Sequence, residues 1–567
     1  MAAEKQAAHV ENVGSEPASA TDVENYHGLT TTCILAYVAN LFMVFVQMTV
    51  LIGSGAFARD ITNVVGGTDK ATWFAQIIVI VTAALGPPIS QAANYWGRKW
   101  FMVVGGGFGF AGSIIISRAT TITAALVGQV IMSLSLGTQP LIHAISSEIL
   151  PRRYRAVVQS GVMNAMQAAG VVTLLGGGAM IRDLHEGFRA FWYLNAALYG
   201  TASISYALLY NPPPRPTQLG TTLQKLRRLD WAAYILICTG MTLFVMALTW
   251  ADNPYPWSDA RVLSTFILGV GALAALGVYE TVFKKDGMFH HSLFKDDRNF
   301  ALANVLMFVE GTASFALNSY FPLEMAVIFE TDPVRVGLRY SVVFFASSVG
   351  VALVSIVVVK RRMLRWPLVV SYVFITLFFV LMAPISLTDS NNVWGYAVIL
   401  GAGIGICLTL AVTTAQISAP PELIALTSGL VIAMRAFGAA VGLAIYTAIF
   451  NAKLPGAVGS KVAAAVMPLG LSPDALEPFI GALMSNDQEL LMSLPDVNPA
   501  ILGAGAHAMR EGYLVAFRYI YITAAAIGVA GITAAACIID PKDAFTLHVD
   551  APVESDSTVD LQNESKA

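Results

Sequence analysis

The sequence predicts an all-α polytopic membrane protein with fourteen transmembrane helices. Three observations carry that prediction. Of the 567 residues 56% are hydrophobic and only 12% are charged, with a mean hydropathy of +0.65, too apolar for a soluble protein of ordinary make-up. The apolar residues are gathered into fourteen runs, each near the roughly 20 residues that a helix needs to cross a bilayer. Lysines and arginines collect in alternate loops between those runs.

In chain order the runs cover 31–57, 72–93, 100–118, 122–145, 156–181, 189–210, 231–250, 261–283, 299–322, 335–359, 366–386, 393–418, 425–450 and 513–538. An even count puts both polar tails, 1–28 and 541–567, on one side. The loops after even-numbered runs hold Arg98 and Lys99; Arg152, Arg153 and Arg155; Arg215, Lys225, Arg227 and Arg228; Lys284, Lys285, Lys295 and Arg298; and Lys360, Arg361, Arg362 and Arg365. The other loops are poorer in cations and often set them beside acids, as in Arg59-Asp60 and Arg182-Asp183. The positive-inside bias therefore expects both termini in the cytosol. The first tail is polar and has no basic start followed by an apolar core, so it reads as a disordered cytosolic segment rather than a signal peptide.

Between the runs, Asn211-Pro-Pro-Pro-Arg-Pro and Gln224-Lys-Leu-Arg-Arg mark a proline-rich basic linker over 211–230. The stretch 451–511 is only moderately apolar and broken by Pro455, Pro468, Pro473, Pro495 and Pro499. It is expected to be an extracytosolic loop with short amphipathic helices. Cys33, Cys238, Cys407 and Cys537 lie far apart, without C-x-x-C spacing, and read as free thiols.

Short sequences at the ends of the runs narrow the class. Ser90, Asn94, Gly97, Arg98 and Lys99 fall on the loop motif G-x-x-x-D-x-x-G-R-R/K between the second and third helices of the major facilitator superfamily. Ser90 replaces its first glycine and Asn94 its acid, while Gly97-Arg98-Lys99 is intact. Ser147-Glu148-Ile149-Leu150-Pro151-Arg152-Arg153-Tyr154-Arg155 resembles the loop after the fourth helix, and Gly187-Phe188-Arg189-Ala190-Phe191-Trp192-Tyr193-Leu194-Asn195 the entry to the sixth. Leu229-Asp230-Trp231, Tyr255-Pro256-Trp257-Ser258 and His291-Ser292-Leu293-Phe294-Lys295 look like the fourteen-span drug:proton antiporter branch. Within it the chain resembles the fungal proteins grouped as trichothecene efflux pumps and siderophore-iron transporters. That resemblance implies a major facilitator fold: a six-helix bundle over 29–210, two inserted helices and a loop over 231–298, and a second bundle over 299–540. Substrate would bind between the bundles near the midplane.

Polar groups at membrane depth are costly and mark functional positions. Glu310 lies mid-run in VLMFVEGTASFALNSYF and is the candidate proton-coupling carboxylate; an acid paired for stability is the other reading. Arg435 lies mid-run in LVIAMRAFGAAVGLAIY, with Gly438 and Gly442 letting its helix approach a neighbour. It is read either as the counter-charge of Glu310 or an anion site, or as half of a structural pair. Asn40, Gln47, Asn304, Phe315, Asn318, Thr409 and Thr413 are candidate cavity residues, suited to an amphipathic, oxygen-rich organic ligand. Interhelical hydrogen bonds use the same residue types. Gln129 stands where the superfamily usually has an arginine, and His143 reads more readily as a structural histidine than as a titrating one.

A net charge of −3 argues against a nucleic-acid partner. No Gly-x-x-x-x-Gly-Lys-Ser/Thr loop and no metal-ligand spacing is present, so no cofactor, no metal and no enzymatic activity are expected. Gly105-Gly106-Gly107-x-Gly109 lies inside an apolar run and reads as a packing face. The function expected is proton-coupled efflux of a hydrophobic or amphipathic compound, such as a mycotoxin or drug, by a plasma-membrane monomer. Uptake of iron-siderophore chelates is the alternative, and a non-transporting sensor the alternative of another class.

Overall fold

The computed structural model describes residues 30–550 except 185, 214–217, 219–220, 252–254, 285–286, 296, 331, 486–487, 495–496 and 547. The expected N-terminal tail, residues 551–567 of the C-terminal one, Arg215 and Lys285 lie outside the described residues. Fourteen long helices follow the expected runs: α1 (Thr31–Ala56), α2 (Trp73–Trp96), α3 (Lys99–Ser117), α4 (Ile122–Ile149), α5 (Arg152–Asp183), α6 (Gly187–Leu209), α7 (Trp231–Trp250), α8 (Ala260–Phe283), α9 (Arg298–Phe329), α10 (Val334–Arg361), α11 (Arg365–Met382), α12 (Ser390–Ile417), α13 (Ile424–Val466) and α14 (Pro499–Ala536). Among the described residues thirteen are long and apolar enough to span by themselves. The fourteenth, α6, is diluted by Asn195, Ser203 and several tyrosines, which it turns inward: Asn195, Tyr199 and Tyr206 are fully buried.

Glycines set how closely these helices approach. On α3, a Cβ at Gly106 would meet Ser203 and one at Gly109 would meet the Tyr199 ring, so the glycine cluster is a packing face against α6. On α5, Gly161 faces Tyr37 of α1 and Gly170 faces Phe344 of α10, and a π-turn at Thr173–Gly177 interrupts the helix near its far end.

Helices α1–α6 pack on one another, as do α9–α14, and the two groups meet along α2–α13 and α5–α10. The inserted pair α7–α8 lies at the α2–α13 seam, where Phe244 packs on Phe437 with ring centroids 5.3 Å apart. The end of α14 returns to the face that carries the basic loops. There Asn299 exchanges hydrogen bonds with Ile539, both 2.9 Å, and Asp540 accepts from the Leu364 and Arg365 amides at 2.6 and 2.9 Å. This face is called the basic face below.

Two boundaries differ from those expected. The stretch 451–511 is a much shorter loop, because α13 runs on through Pro455 to Val466 and α14 already begins at Pro499. With 43 residues at about 1.5 Å each, α13 is roughly twice as long as the hydrocarbon core is thick. The overhanging ends pack with short helices at Pro473–Ser485 and Gln488–Ser493 around a second small core of Val458, Val462, Phe479, Leu483, Ile501 and Ala508. Of the prolines that suggested a loop, Pro473 and Pro499 sit in helix first turns, Pro468 in a short 3-10 turn and Pro455 within α13, while Pro495 lies outside the described residues. Likewise α9 does not stop near Pro322 but continues through a π-turn at Met325–Phe329, which brings Glu324 into the helix.

Candidate functional site

Glu310 and Arg435 meet because α9 and α13 are in backbone contact. A Cβ on Gly311 would run into the Arg435 carbonyl, one on Gly438 into the Phe308 carbonyl, and one on Gly442 would lie 3.0 Å from Thr312 Cα. With no side chains between the axes, the guanidinium reaches across: Arg435 Nε donates to Glu310 Oε2 at 2.6 Å and Nη2 to Oε1 at 3.2 Å. Ser314, one turn along α9, donates to Oε1 and accepts from Nη2 at 3.3 Å. Glu310 is fully buried, while a quarter of the Arg435 side chain, 26%, stays accessible. This is the doubly hydrogen-bonded geometry that a buried ion pair requires to offset its desolvation. Arg435 lies within electrostatic reach of His143 on α4 of the other bundle and of Tyr340 on α10.

The other expected cavity residues divide sharply. Asn40 has no accessible surface: its amide donates to the Ile142 carbonyl at 2.9 Å and to Ser146 at 2.6 Å, and its oxygen accepts from Tyr206. Gln47 is equally buried and donates to the Ser135 carbonyl at 2.9 Å and to Thr138 at 3.1 Å. Both tie α1 to α4, so neither lines a cavity in this conformation. Asn304 donates to its own turn, to Phe300 at 2.9 Å. Thr409 and Thr413 are buried, Thr413 bonding back to the Thr409 carbonyl at 2.7 Å. Asn318 is exposed and accepts the Tyr340 hydroxyl, which makes it the one amide of the set with open surface. Phe315 lies on α9, and its side chain is outside the described residues.

Gln129, in place of an arginine, donates to Ser54 of α1 at 3.0 Å and to the Phe74 carbonyl of α2 at 2.8 Å. It is a neutral junction of three helices. His143 is buried and bonds through Nδ1 to Gln159 at 2.7 Å.

At the basic face the loop motif takes a form that its residue types did not disclose. Gly97 holds the turn with φ 86°, a region open to glycine. Arg98 is 3% exposed and ion-paired with the buried Glu148 at the end of α4. Removal of the motif's acid at Asn94 thus leaves a charged clasp in place, supplied from another helix. Lys99 bonds to Asn211 and lies 5.6 Å over the Trp100 ring. Ser90 is buried and packs where α2 crosses α13, against Gly429.

The same face is bridged between bundles by a network missed in the sequence. Gln416 at the end of α12 accepts from Ser147 of α4 and from Gln159 of α5, the latter at 3.2 Å; it donates to the His143 carbonyl at 3.2 Å and to Ser428 of α13 at 2.9 Å. Arg155 donates to the Gln416 carbonyl at 2.7 Å and pairs with Asp550. Asp550 also takes Arg152 at 2.6 Å, and the Arg152 and Arg153 amides donate to the His548 and Thr546 carbonyls at 3.0 and 2.8 Å. The segment after α14 thereby straps the second bundle onto the α4–α5 loop of the first.

A family model described as the fungal trichothecene efflux pump (TRI12) matches residues 14–561. The chain belongs to this family. The trichothecene efflux pump of Fusarium sporotrichioides is 21% identical over 541 residues, covering 94% of this chain and 90% of that protein. An MFS-type efflux transporter of Pyricularia grisea is 25% identical over 449 residues, 76% of this chain and 72% of its own length. Among solved structures, a POT family transporter in complex with a thioalcohol-conjugated peptide aligns with a TM-score of 0.55 at 12% identity, over 87% of this chain and 94% of its own; the likeness concerns the fold. The protein is thus a multi-pass membrane transporter of the major facilitator superfamily and not an enzyme.

Proposed function

We propose that this transporter exports an amphipathic, oxygen-rich small molecule of the trichothecene kind from the cytosol, in exchange for protons. The observation that carries the reading is the Glu310–Arg435 pair: an acid and a base buried between two helices, with one flank of the arginine open. With Glu310 charged, the pair holds the guanidinium in place and its open flank can take a carbonyl or anionic oxygen of the substrate; a proton on Glu310 removes the charge that positions the arginine, and the ligand is released. Competition between proton and substrate for one site is the minimum that antiport requires. The export direction is supported by the names of relatives, which are efflux pumps.

The charge pattern of the loops supports a cytosolic position for the basic face and for both termini, and relatives of this kind suit the plasma membrane. With that orientation, the network around Gln416 is a closed inner gate. Asn318, exposed and accepting the hydroxyl of the buried Tyr340, is the polar group best placed to meet a ligand.

Reconstitution into liposomes with a labelled trichothecene and an imposed pH gradient tests the reading. Glu310→Gln keeps the side-chain shape and one acceptor oxygen but cannot exchange a proton. It is expected to lose gradient-driven accumulation by at least about tenfold, the effect of a barrier change near 1.4 kcal/mol. Unaltered accumulation in a variant that purifies as a single species would refute it.

A further inference from the structure

The helix that carries Glu310 carries a second buried acid. Glu324 lies about four turns further along α9, in the segment beyond Pro322, and has no accessible surface. Its Oε2 accepts a hydrogen bond from the Tyr521 hydroxyl of α14, and its Oε1 has no partner. No cation comes within ion-pair distance of it among the described residues.

The elements around it explain that isolation. From α11 come Phe378 and Phe379, whose rings lie 6.2 and 6.1 Å from that of Tyr521; from α9 itself comes Phe321, 6.0 Å from Phe378. The charged groups of the neighbouring segments are engaged elsewhere. Arg518, one turn before Tyr521, is exposed and donates to the Ala383 carbonyl at 3.1 Å. Arg339 of α10 pairs with Glu330 at 2.6 Å and bonds Ser390, and Arg335 also turns to Glu330, at 3.9 Å. Tyr340 of α10 serves Asn318, and the Tyr446 ring of α13 packs on Tyr320.

Burying an unpaired carboxylate in such a box is far costlier than burying a carboxylic acid with one hydrogen bond. A structural acid needs a cation, and Glu310 has one; Glu324 does not. A mere hydrogen-bond partner for Tyr521 needs no acid, since an amide of the same shape would serve.

We propose that Glu324 is a second proton-carrying carboxyl of the transport cycle, protonated in this conformation. It gives that proton to water when the α9–α14 seam opens, leaving a hydrated carboxylate that is reprotonated from water before the seam closes. This rests on the proton-coupled reading given above and extends it from one acid to two on a single helix.

Infrared difference spectroscopy of the full chain in lipid nanodiscs reads the proton directly and needs no substrate. At neutral pH the wild type should show a protonated-carboxyl C=O band that is lost in Glu324→Gln and retained in Glu310→Gln. Tyr521→Phe, which keeps the ring and removes the one hydrogen bond to the carboxyl seen among the described residues, should move the same band. No band difference between wild type and Glu324→Gln overturns the proposal, as does a band indifferent to Tyr521→Phe should the first variant not fold. In liposomes with a labelled trichothecene, Glu324→Gln should lose its response to the pH gradient. A wild-type response in Glu324→Gln, with none in Glu310→Gln, removes Glu324 from the cycle and leaves the Glu310 reading standing. The reverse pattern removes Glu310 and keeps Glu324.

Discussion

The two bundles handle polarity at membrane depth by opposite means. In α1–α6 the buried polar groups away from the basic face are mainly amides and hydroxyls, Asn40, Gln47 and Gln129, whose donors are used on neighbouring helices, with His143 the titratable exception and the charged pair Arg98–Glu148 set at the basic face. In α9–α14 buried amides and hydroxyls such as Asn304 and Thr413 are joined by acids at membrane depth: Glu310 with Arg435, and Glu324 with Tyr521 as its one side-chain partner among the described residues. A neutral network with satisfied donors fixes helix positions and is indifferent to pH. Acids that depend on one partner respond to hydration and to protons. The difference assigns the scaffold to the first bundle and the proton chemistry to the second, a division already suggested by Gln129 standing where an arginine is usual.

The largest effect expected from that division is at Arg435. Arg435→Ala leaves Glu310 buried and uncompensated, which costs roughly 3–5 kcal/mol. Unfolding in detergent should show a marked fall in the midpoint, and the double variant Arg435→Ala with Glu310→Gln should recover much of it. A midpoint equal to wild type in the single variant would mean that the pair is not desolvated, and the contrast between bundles would fail.

A smaller effect is expected in the first bundle. Asn40→Ala strands the Tyr206 hydroxyl, Ser146 and the Ile142 carbonyl, with a cost of about 1–3 kcal/mol. Stability should fall while the pH profile of transport keeps its shape, because no titratable partner is lost. A displaced profile would place proton chemistry in the first bundle and break the comparison.

The fold was legible to a large degree because spanning a bilayer imposes length and apolarity on every helix, and loops declare themselves by charge. The pairing of Glu310 with Arg435 was half legible: Gly438 and Gly442 announced a close neighbour, but only the fold says that the neighbour is α9. What was hidden had two causes. The apolar run 299–322 is shorter than α9, so Glu324 fell outside it; prolines taken as breaks turned the extensions of α13 and α14 into a loop. Contacts distant in sequence were the other cause. Arg98 meets Glu148 and Arg155 meets Asp550, and neither pairing leaves a local pattern. A signal did exist in Glu148, an acid without a cation within its own helix, four residues before Arg152.

The smallest effect expected concerns the strap on the basic face. Burial pushes the Asp550 carboxyl up, but the guanidinium groups of Arg155 and Arg152 outweigh it and hold the group below the usual aspartate range. A carboxylate with a lowered value stabilises its docked form fully above the ordinary aspartate value, and loses that contribution only as pH falls through the docked one. Between about pH 5 and 8 the strap should therefore be constant. Protection factors of the strap amides, which are exchange rates set against the intrinsic rate at each pH, should be high and flat across that range, and lower in Asp550→Asn, which keeps the shape but gives up the charge. Protection that falls between pH 8 and 6 in the wild type would put a proton switch on the basic face. The inner gate would then share the coupling now assigned to α9, and the two bundles would no longer divide scaffold from proton chemistry.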